Sequence, residues 1–264
     1  PVLILFLAAL SYPLWLNLFH QLIQQNAVLA TLALATAFAI PALGALVAWR
    51  VNLSVPARRF AYLLVAAPTI YVFMGVLSYM VKSQIADEAI WAVLCIIAAG
   101  ISLFAPASPS HSSSQPASWR VVHGVTAAII VLYVGFHIIN HLFALSGFDK
   151  HHEVQLLGEA IYRAPYVEYL LALLLVFQTI TGIRLFWHWS ALKGDFFRTV
   201  QLATGIFLAF YVIGHMDSVF VFARSYIGTE TNMAWAAGGS AGLLLDAHPF
   251  RTGQDHVGQL RCAR

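Results

Sequence analysis

Charged residues are scarce in this chain. They make up 9% of its 264 residues, against about 25% in an average soluble domain. Hydrophobic residues make up 60%, and a soluble fold with so few charges would leave much of that apolar surface in contact with water. The composition therefore excludes a soluble enzyme and a disordered chain. It predicts an all-α, polytopic bundle of transmembrane helices in a lipid membrane.

Cysteine is also rare. Cys95 lies in an apolar run and Cys262 lies near the end, so neither a disulfide framework nor a thiolate metal site is indicated. The net charge of +3 is spread over several loops without a dense basic patch, which argues against nucleic acid as a partner. The sequence contains no flavin or dinucleotide fingerprint and no iron–sulfur cysteine set, so we expect any enzymatic activity to belong to a partner protein.

Seven segments approach the roughly 20 apolar residues that a membrane-spanning helix needs. They cover roughly residues 2–22, 27–49, 60–81, 88–105, 119–145, 166–189 and 199–224. The first lacks the basic flank and the cleavage pattern of a signal peptide, so we interpret it as a span. Pro41 and Pro68 fall inside spans, which membrane helices tolerate when neighbours satisfy the freed carbonyl groups.

A Ser/Pro-rich segment divides the chain. Residues 106–118 read as a flexible linker. Residues 1–105 form a four-span region with almost no ionisable side chains in the middle of its spans. Residues 119–225 form a three-span region, and residues 226–264 are predicted to be a re-entrant or loop segment followed by a polar tail.

The basic residues of the loops indicate the orientation. One set of loops carries seven and the opposite set carries four: Arg50, Arg58, Arg59, Arg120, Arg184, Lys193 and Arg198 against Lys82, Lys150, Arg163 and Arg224. The positive-inside rule places the first set in the cytoplasm and the polar loop 146–165 outside. We therefore predict an integral protein of the bacterial inner (cytoplasmic) membrane.

The chain has eleven histidines, and most lie where a functional role is not required. His111, His151, His152, His248 and His256 are predicted to be solvated in loops. His188 lies between two tryptophans at a membrane boundary, as in an aromatic belt, and His20 stays ambiguous. The remaining four lie in the fifth and seventh spans: His123, His137, His141 and His215.

His137 and His215 are predicted to lie at the same depth. An ionisable residue inside the bilayer usually faces the bundle interior and has a function. His137 comes 18 residues after Trp119 and His215 comes 16 residues after Thr199, so both lie about 25 Å from the cytoplasmic ends of parallel helices. Two such imidazoles are able to bind one haem iron from opposite faces. Gly135 and Gly214 come shortly before the two histidines, and Gly205 adds further room for close backbone approach.

Two alternatives stay open for this cluster. His141 shares a helix face with His137 and competes with it as the ligand, or it hydrogen-bonds a haem propionate or a quinone. Each histidine is also explained as a neutral imidazole that is hydrogen-bonded to a neighbouring helix.

Three stretches resemble a known family. They are RVVHGVTAAIIVLYVGFH (residues 120–137), FQTITGIR (177–184) and QLATGIFLAFYVIGHM (201–216). They resemble helices of the membrane-anchor cytochrome b of succinate dehydrogenases and fumarate reductases, of the type with a single anchor subunit and two haems. The resemblance covers roughly residues 119–225.

The resemblance implies one haem b, ligated by His137 and His215 near the outer face. The position that matches a ligand of the second haem is Gln178, and the family's last ligand helix has no counterpart. Gln178 is expected near the depth of His215, where its amide would bond a propionate or a neighbouring helix. His123 stands in the family's Arg-x-x-His opening, and Arg184 either assists the cofactor or extends to the cytoplasmic face.

These observations predict a membrane-bound b-type cytochrome that passes electrons between a cytoplasmic dehydrogenase and a quinone through one bis-histidine haem. One alternative is a haem- or quinone-responsive sensor or anchor module with a signalling partner, since the same anchor architecture precedes signalling domains. Another is a cofactor-free structural subunit of a larger membrane complex.

The orientation is tested by single cysteine substitutions. We expect an impermeant thiol reagent to label Ser146→Cys in intact cells and to label Ser54→Cys only after permeabilisation, because the two loops lie on opposite sides of the membrane. Labelling of Ser54→Cys alone in intact cells would reverse the assignment.

Overall fold

The computed structural model describes residues 1–105, 117–228 and 231. In this part of the chain the helices are α1 (Val2–Leu22), α2 (Ala27–Arg50), α3 (Val55–Val65), α4 (Ala67–Met80), α5 (Asp87–Phe104), α6 (Ala117–Leu142), α7 (Phe148–Tyr162), α8 (Pro165–Trp189) and α9 (Phe196–Met216). A 3₁₀ turn, Phe143–Ser146, follows α6, and a π-helical stretch, Asp217–Ile227, continues α9. Most of the predicted linker 106–118 and of the predicted segment 226–264 lies outside the described residues, together with His111, His248 and His256.

The predicted all-α membrane bundle is confirmed. Six helical stretches among the described residues are long and apolar enough to cross a membrane, and the bent pair of α3 and α4 raises the number to as many as seven. The third predicted span, 60–81, differs in shape, because its axis bends by 71° at the break between α3 and α4. Pro68 lies in the first turn of α4, where it has no N–H to bond the carbonyl of Leu64 and continue the α3 ladder.

Small residues allow close helix contacts in the first half of the bundle. The buried face of α2 carries Ala30, Ala33, Ala37, Ile40, Gly44 and Ala48. A Cβ at Gly44 would lie 2.6 Å from the Ala61 carbonyl oxygen of α3, so only glycine permits this backbone approach. Such contacts matter in lipid, where helices associate through van der Waals packing and not through the hydrophobic effect.

Pro13 creates a free carbonyl group in the middle of α1, and another helix binds it. A proline nitrogen cannot donate to the carbonyl four residues earlier, which here belongs to Ala9. The Trp91 indole Nε1 of α5 donates to that oxygen at 2.7 Å. This bond joins α1 to α5 and satisfies a polar group that would otherwise be costly inside the membrane.

Helices from both sides of the predicted linker share one core. Phe186 of α8 and Leu202, Ala203 and Ile206 of α9 pack in the same cluster as α3 residues such as Tyr62. The Tyr62 and Phe186 rings meet edge to face at 5.6 Å. The three-span region is therefore packed directly against the four-span region.

Arg58 and Arg59 were expected in a loop, but they lie in α3 and bind the end of α8. Arg58 is 5% exposed and its guanidinium donates to the carbonyl oxygens of Leu53 at 2.9 Å and Ala191 at 3.0 Å. Arg59 donates to the Trp187 carbonyl at 2.8 Å and lies over the Trp187 ring. Cations at a helix C-terminus bind its free carbonyl groups favourably. The two arginines thereby connect the 50–59 segment to the end of α8, both of which were predicted to lie on the cytoplasmic side.

Replacing Arg58 by lysine is expected to destabilise the bundle by about 1.5–3 kcal/mol, the range for a hydrogen bond to a charged group. A single ammonium cannot span the carbonyl groups of Leu53 and Ala191 as the forked guanidinium does. The measurement is thermal unfolding of the purified chain in detergent. Arg50→Lys is the matched control, because the Arg50 guanidinium stacks on its own neighbour Trp49; an equal loss in both variants contradicts the assignment.

Candidate functional site

His137 and His215 lie side by side near the predicted outer ends of α6 and α9. The centroids of the two imidazole rings are 6.0 Å apart. His137 is half-buried and His215 is exposed at the surface of the chain. The structure thus brings together the two residues that the depth argument selected.

Aromatic rings flank both histidines. Tyr133 stacks on His137 at 5.9 Å along α6. On α9 the rings of Phe207, Tyr211 and His215 follow each other at four-residue intervals and stack, with 5.8 Å between Tyr211 and His215. Each imidazole is therefore flanked by an aromatic ring of its own helix, and the two imidazole planes are inclined by 66° to each other.

His141 extends this pair into a row of four imidazoles. Its Nε2 atom lies 3.2 Å from Nε2 of His137. Its ring also stacks on His151 of α7, with 5.5 Å between centroids. The row therefore runs from α9 through α6 to α7, in the order His215, His137, His141 and His151.

The predictions for residues 146–165 and for His151 were wrong. The segment is not a polar loop: it contains the helix α7, and His151 is only 2% exposed. His151, Gln155, Gly158 and Tyr162 recur on one helical face. A Cβ at Gly158 would lie 2.6 Å from the Phe136 ring of α6, which shows how closely this face packs. His152, about 100° further round α7, is exposed as predicted.

A buried polar layer lies between α6 and α7. His151, Asn140 and Gln155 are 2%, 3% and 9% exposed. Both ring nitrogens of His151, Oδ1 of Asn140 and Oε1 of Gln155 have no hydrogen-bond partner. Each such atom costs about 1–3 kcal/mol if it stays unpaired, so this layer weakens the docking of α7 and leaves hydrogen-bonding capacity beside His141.

Gln178 belongs to a second cluster, which is separate from the histidine row. Its Nε2 lies 3.0 Å from Nε2 of His123, and its Oε1 accepts a hydrogen bond from Thr126 at 2.7 Å. Nδ1 of His123 lies 2.8 Å from the hydroxyl of Thr181. We refer to His123, Thr126, Gln178 and Thr181 as the His123 cluster.

The expected depth of Gln178 is corrected by these contacts. His123 precedes His137 by 14 residues, or about 21 Å along α6. Gln178 is near the middle of α8, whereas His215 is next to the end of α9. Two roles were predicted for the Gln178 amide, a bond to a haem propionate or a bond to a neighbouring helix. Its contacts with His123 and Thr126 of α6 agree with the second.

Arg184 lies beyond the His123 cluster toward the inner end of α8. Its guanidinium is 5.2 Å from the centroid of Trp119, near the start of α6. Trp119 precedes His137 by 18 residues on α6, so Arg184 lies far from His137, and its side chain is exposed. This position agrees with the alternative in which Arg184 extends to the membrane surface.

Sequence reasoning missed three polar residues that shape these clusters: Thr126, Gln155 and Thr181. Threonine is common in membrane helices, so nothing singled out Thr126 or Thr181. Asn140 is apparent from the sequence as a polar group beside His141 inside an apolar span. Gln155 would have been found through the four-residue spacing from His151, which indicates one face of an amphipathic helix.

No protein-family model, curated protein or solved structure significantly matches the chain. Within residues 1–105, 117–228 and 231, no group of three or more His, Cys, Asp or Glu side chains is arranged to hold a metal ion.

We expect α7 to detach from α6 in acid. Burial, together with the neighbouring His141 and His152, lowers the pKa of His151 from its ordinary value. Docked α7 therefore binds a proton on His151 less readily than undocked α7. The docking free energy of α7 is at its full value above a pH of about 6.5, the ordinary pKa of histidine. It decreases as the pH falls below that pKa.

Amide hydrogen exchange of α7, corrected for intrinsic rates, measures this effect between pH 5 and 8, the range of about three units in which histidine charges change. His151→Phe should remove most of the pH dependence and His152→Gln should keep it. Protection that does not change with pH in the unaltered chain contradicts the prediction.

Proposed function

We propose that the chain is a membrane-embedded b-type cytochrome in which His137 and His215 are the axial ligands of one haem. The observation that carries the proposal is the 6.0 Å separation of their ring centroids. Two imidazoles on one metal, with bonds of about 2 Å each, have centroids about 6 Å apart. When bound, the haem supplies one-electron transfer.

The surroundings of the two histidines support a flat, apolar ligand. Tyr133 and Tyr211 lie against the imidazoles and hold their planes. A Cβ added at Gly135 would meet no atom within 4 Å, whereas one added at Gly214, next to His215, would lie 3.4 Å from Phe73 of α4. The histidine nitrogens and the aromatic flanks match the needs of a bis-imidazole haem.

Residues of α6 and α7 define the polar end of the proposed site. His141 is exposed, and it lies between His137 and the polar layer formed by Asn140, His151 and Gln155. The exposed His141 ring offers a hydrogen bond to a propionate or to a quinone headgroup at the outer membrane surface, and the buried layer lies behind it. Electron transfer to a quinone at this surface also needs an electron donor on the opposite side of the membrane. A cytoplasmic dehydrogenase is the class of protein proposed for that donor.

A cofactor-free structural subunit is the second candidate. The 3.2 Å contact between Nε2 of His137 and Nε2 of His141 favours it, because a shared proton gives each nitrogen a partner without iron. Such a bond offsets part of the desolvation free energy of imidazole nitrogens in the membrane.

Spectra of histidine variants at matched expression distinguish these candidates. We expect His137→Ala and His215→Ala to lose the reduced-minus-oxidised haem spectrum, and His141→Ala to keep it. Added imidazole should partly restore the spectrum of His137→Ala, because it replaces the missing ligand. Gln178→Leu should also keep the haem, since Gln178 contacts the distant His123.

Each result has a defined meaning. Loss of haem in His141→Ala but not in His137→Ala would move the ligand by one helical turn on α6. An unaltered chain without haem, expressed in cells that make haem, would support the structural subunit. His188→Ala is the matched control, because His188 lies beside Trp189 at the inner end of α8.

A further inference from the structure

The His123 cluster has an unusual hydrogen-bond pattern, which does not involve His137 or His215. Both ring nitrogens of His123 lie next to polar atoms of α8: the Gln178 amide at 3.0 Å and the Thr181 hydroxyl at 2.8 Å. An imidazole nitrogen is a donor or an acceptor according to its protonation. A protonation state of His123 is therefore stable in the cluster when Gln178 and Thr181 offer the matching donor or acceptor to each ring nitrogen.

The neutral state is fully bonded. The Thr181 hydroxyl donates to the Phe177 carbonyl at 2.8 Å, so its oxygen accepts from Nδ1–H of His123. Nε2 of His123 then accepts from the Gln178 amide N–H, and Oε1 of Gln178 accepts from the Thr126 hydroxyl. Every group in this arrangement has a donor or acceptor of the correct kind.

The protonated state is fully bonded as well if the Gln178 amide rotates by half a turn. Oε1 then accepts from the new N–H at Nε2 of His123, and the amide N–H donates to the Thr126 oxygen. The Thr126 hydroxyl turns to the Val122 carbonyl, which already lies 3.0 Å away. The bond from Nδ1–H to Thr181 is unchanged. One proton is gained, it resides on Nε2, and no group loses its partner.

We propose that His123 is a proton-binding site within the membrane-spanning bundle, and that rotation of the Gln178 amide allows it to gain and release the proton. The ligand is H⁺ from the aqueous phase at the inner end of the bundle. An amide suits this role because its two ends offer a donor and an acceptor at nearly the same positions. A leucine or methionine at residue 178 would leave the protonated imidazole without an acceptor at Nε2.

Two arginines lie near the His123 cluster, and their positive charges oppose protonation of His123, so the acceptor that Gln178 provides is needed to hold the proton. Among the described residues, α8 contributes the side chains that bond His123 from across the interface, and Arg184 lies one turn from Thr181 on that helix. On α6, Arg120 lies one turn before His123. Both arginines are exposed, and because arginines near helix ends extend to the membrane surface, we place that surface about one turn from His123. The proposal holds whether or not the chain binds haem.

The experiment is a pH titration of the full-length chain in lipid nanodiscs with ¹⁵N-labelled histidine. The His123 signals are assigned by comparison with His123→Phe, and the two ring nitrogens report the protonation state directly. We expect His123 to change from the neutral ring to the imidazolium within the range between about pH 5 and 8 in which histidine charges usually change.

Gln178→Met is expected to weaken proton binding to His123 roughly tenfold or more, because a hydrogen bond to a charged group is lost. Thr126→Val should weaken it as well, since the rotated amide loses its acceptor, and Thr126→Ser should restore it. Thr204→Val is the matched control, because the Thr204 hydroxyl bonds only to carbonyls of its own helix.

Two results would overturn the proposal. One is a His123 ring that stays in a single neutral state throughout the titration of the unaltered chain. The other is an unchanged titration in both Gln178→Met and Thr126→Val. If Gln178→Met does not fold, the comparison of Thr126→Val with Thr126→Ser decides the question alone.

Discussion

The two arginines of α3 fix the inner end of α8, and the placement of the later helices depends on that attachment. Arg58 and Arg59 bind carbonyl groups of Trp187 and Ala191. α8 in turn binds α6 through Gln178 and Thr181, and it packs along α9. The heights of His137 on α6 and of His215 on α9 are therefore both set relative to one helix. Polar contacts are suited to this task, because packing in lipid permits sliding that a directional bond does not.

The spans were predictable because an apolar run of about 20 residues has few alternatives to crossing a membrane. The bend at Ala66 was not, since hydropathy measures the length of an apolar run and not the direction of its axis. α7 was missed for a different reason. Its polar residues resemble those of a loop. The burial of His151 depends on the close packing of the Phe136 ring against Gly158, which the sequence alone does not indicate.

The candidate site was partly predictable from spacing. Counting residues along two parallel helices brought His137 and His215 together, and the structure places their rings in proximity. The same method failed for Gln178, because counting from the predicted start of its span did not show how far α6 extends beyond α8. The partners of His123 depend on the rotation of α6 about its axis, which no composition or spacing in this sequence determines.

The π-helical stretch Asp217–Ile227 makes the number of residues after His215 more important than their identity. Its wide turns are evident in the bond from the Ser225 hydroxyl to the Phe220 carbonyl, five residues back. Loss of one residue would return one of these turns to ordinary α-helical bonding. Every later side chain would then rotate by about 100°, and Arg224 would leave Glu168 at the start of α8. Homologous chains that keep this ion pair should therefore conserve length here while their sequences diverge.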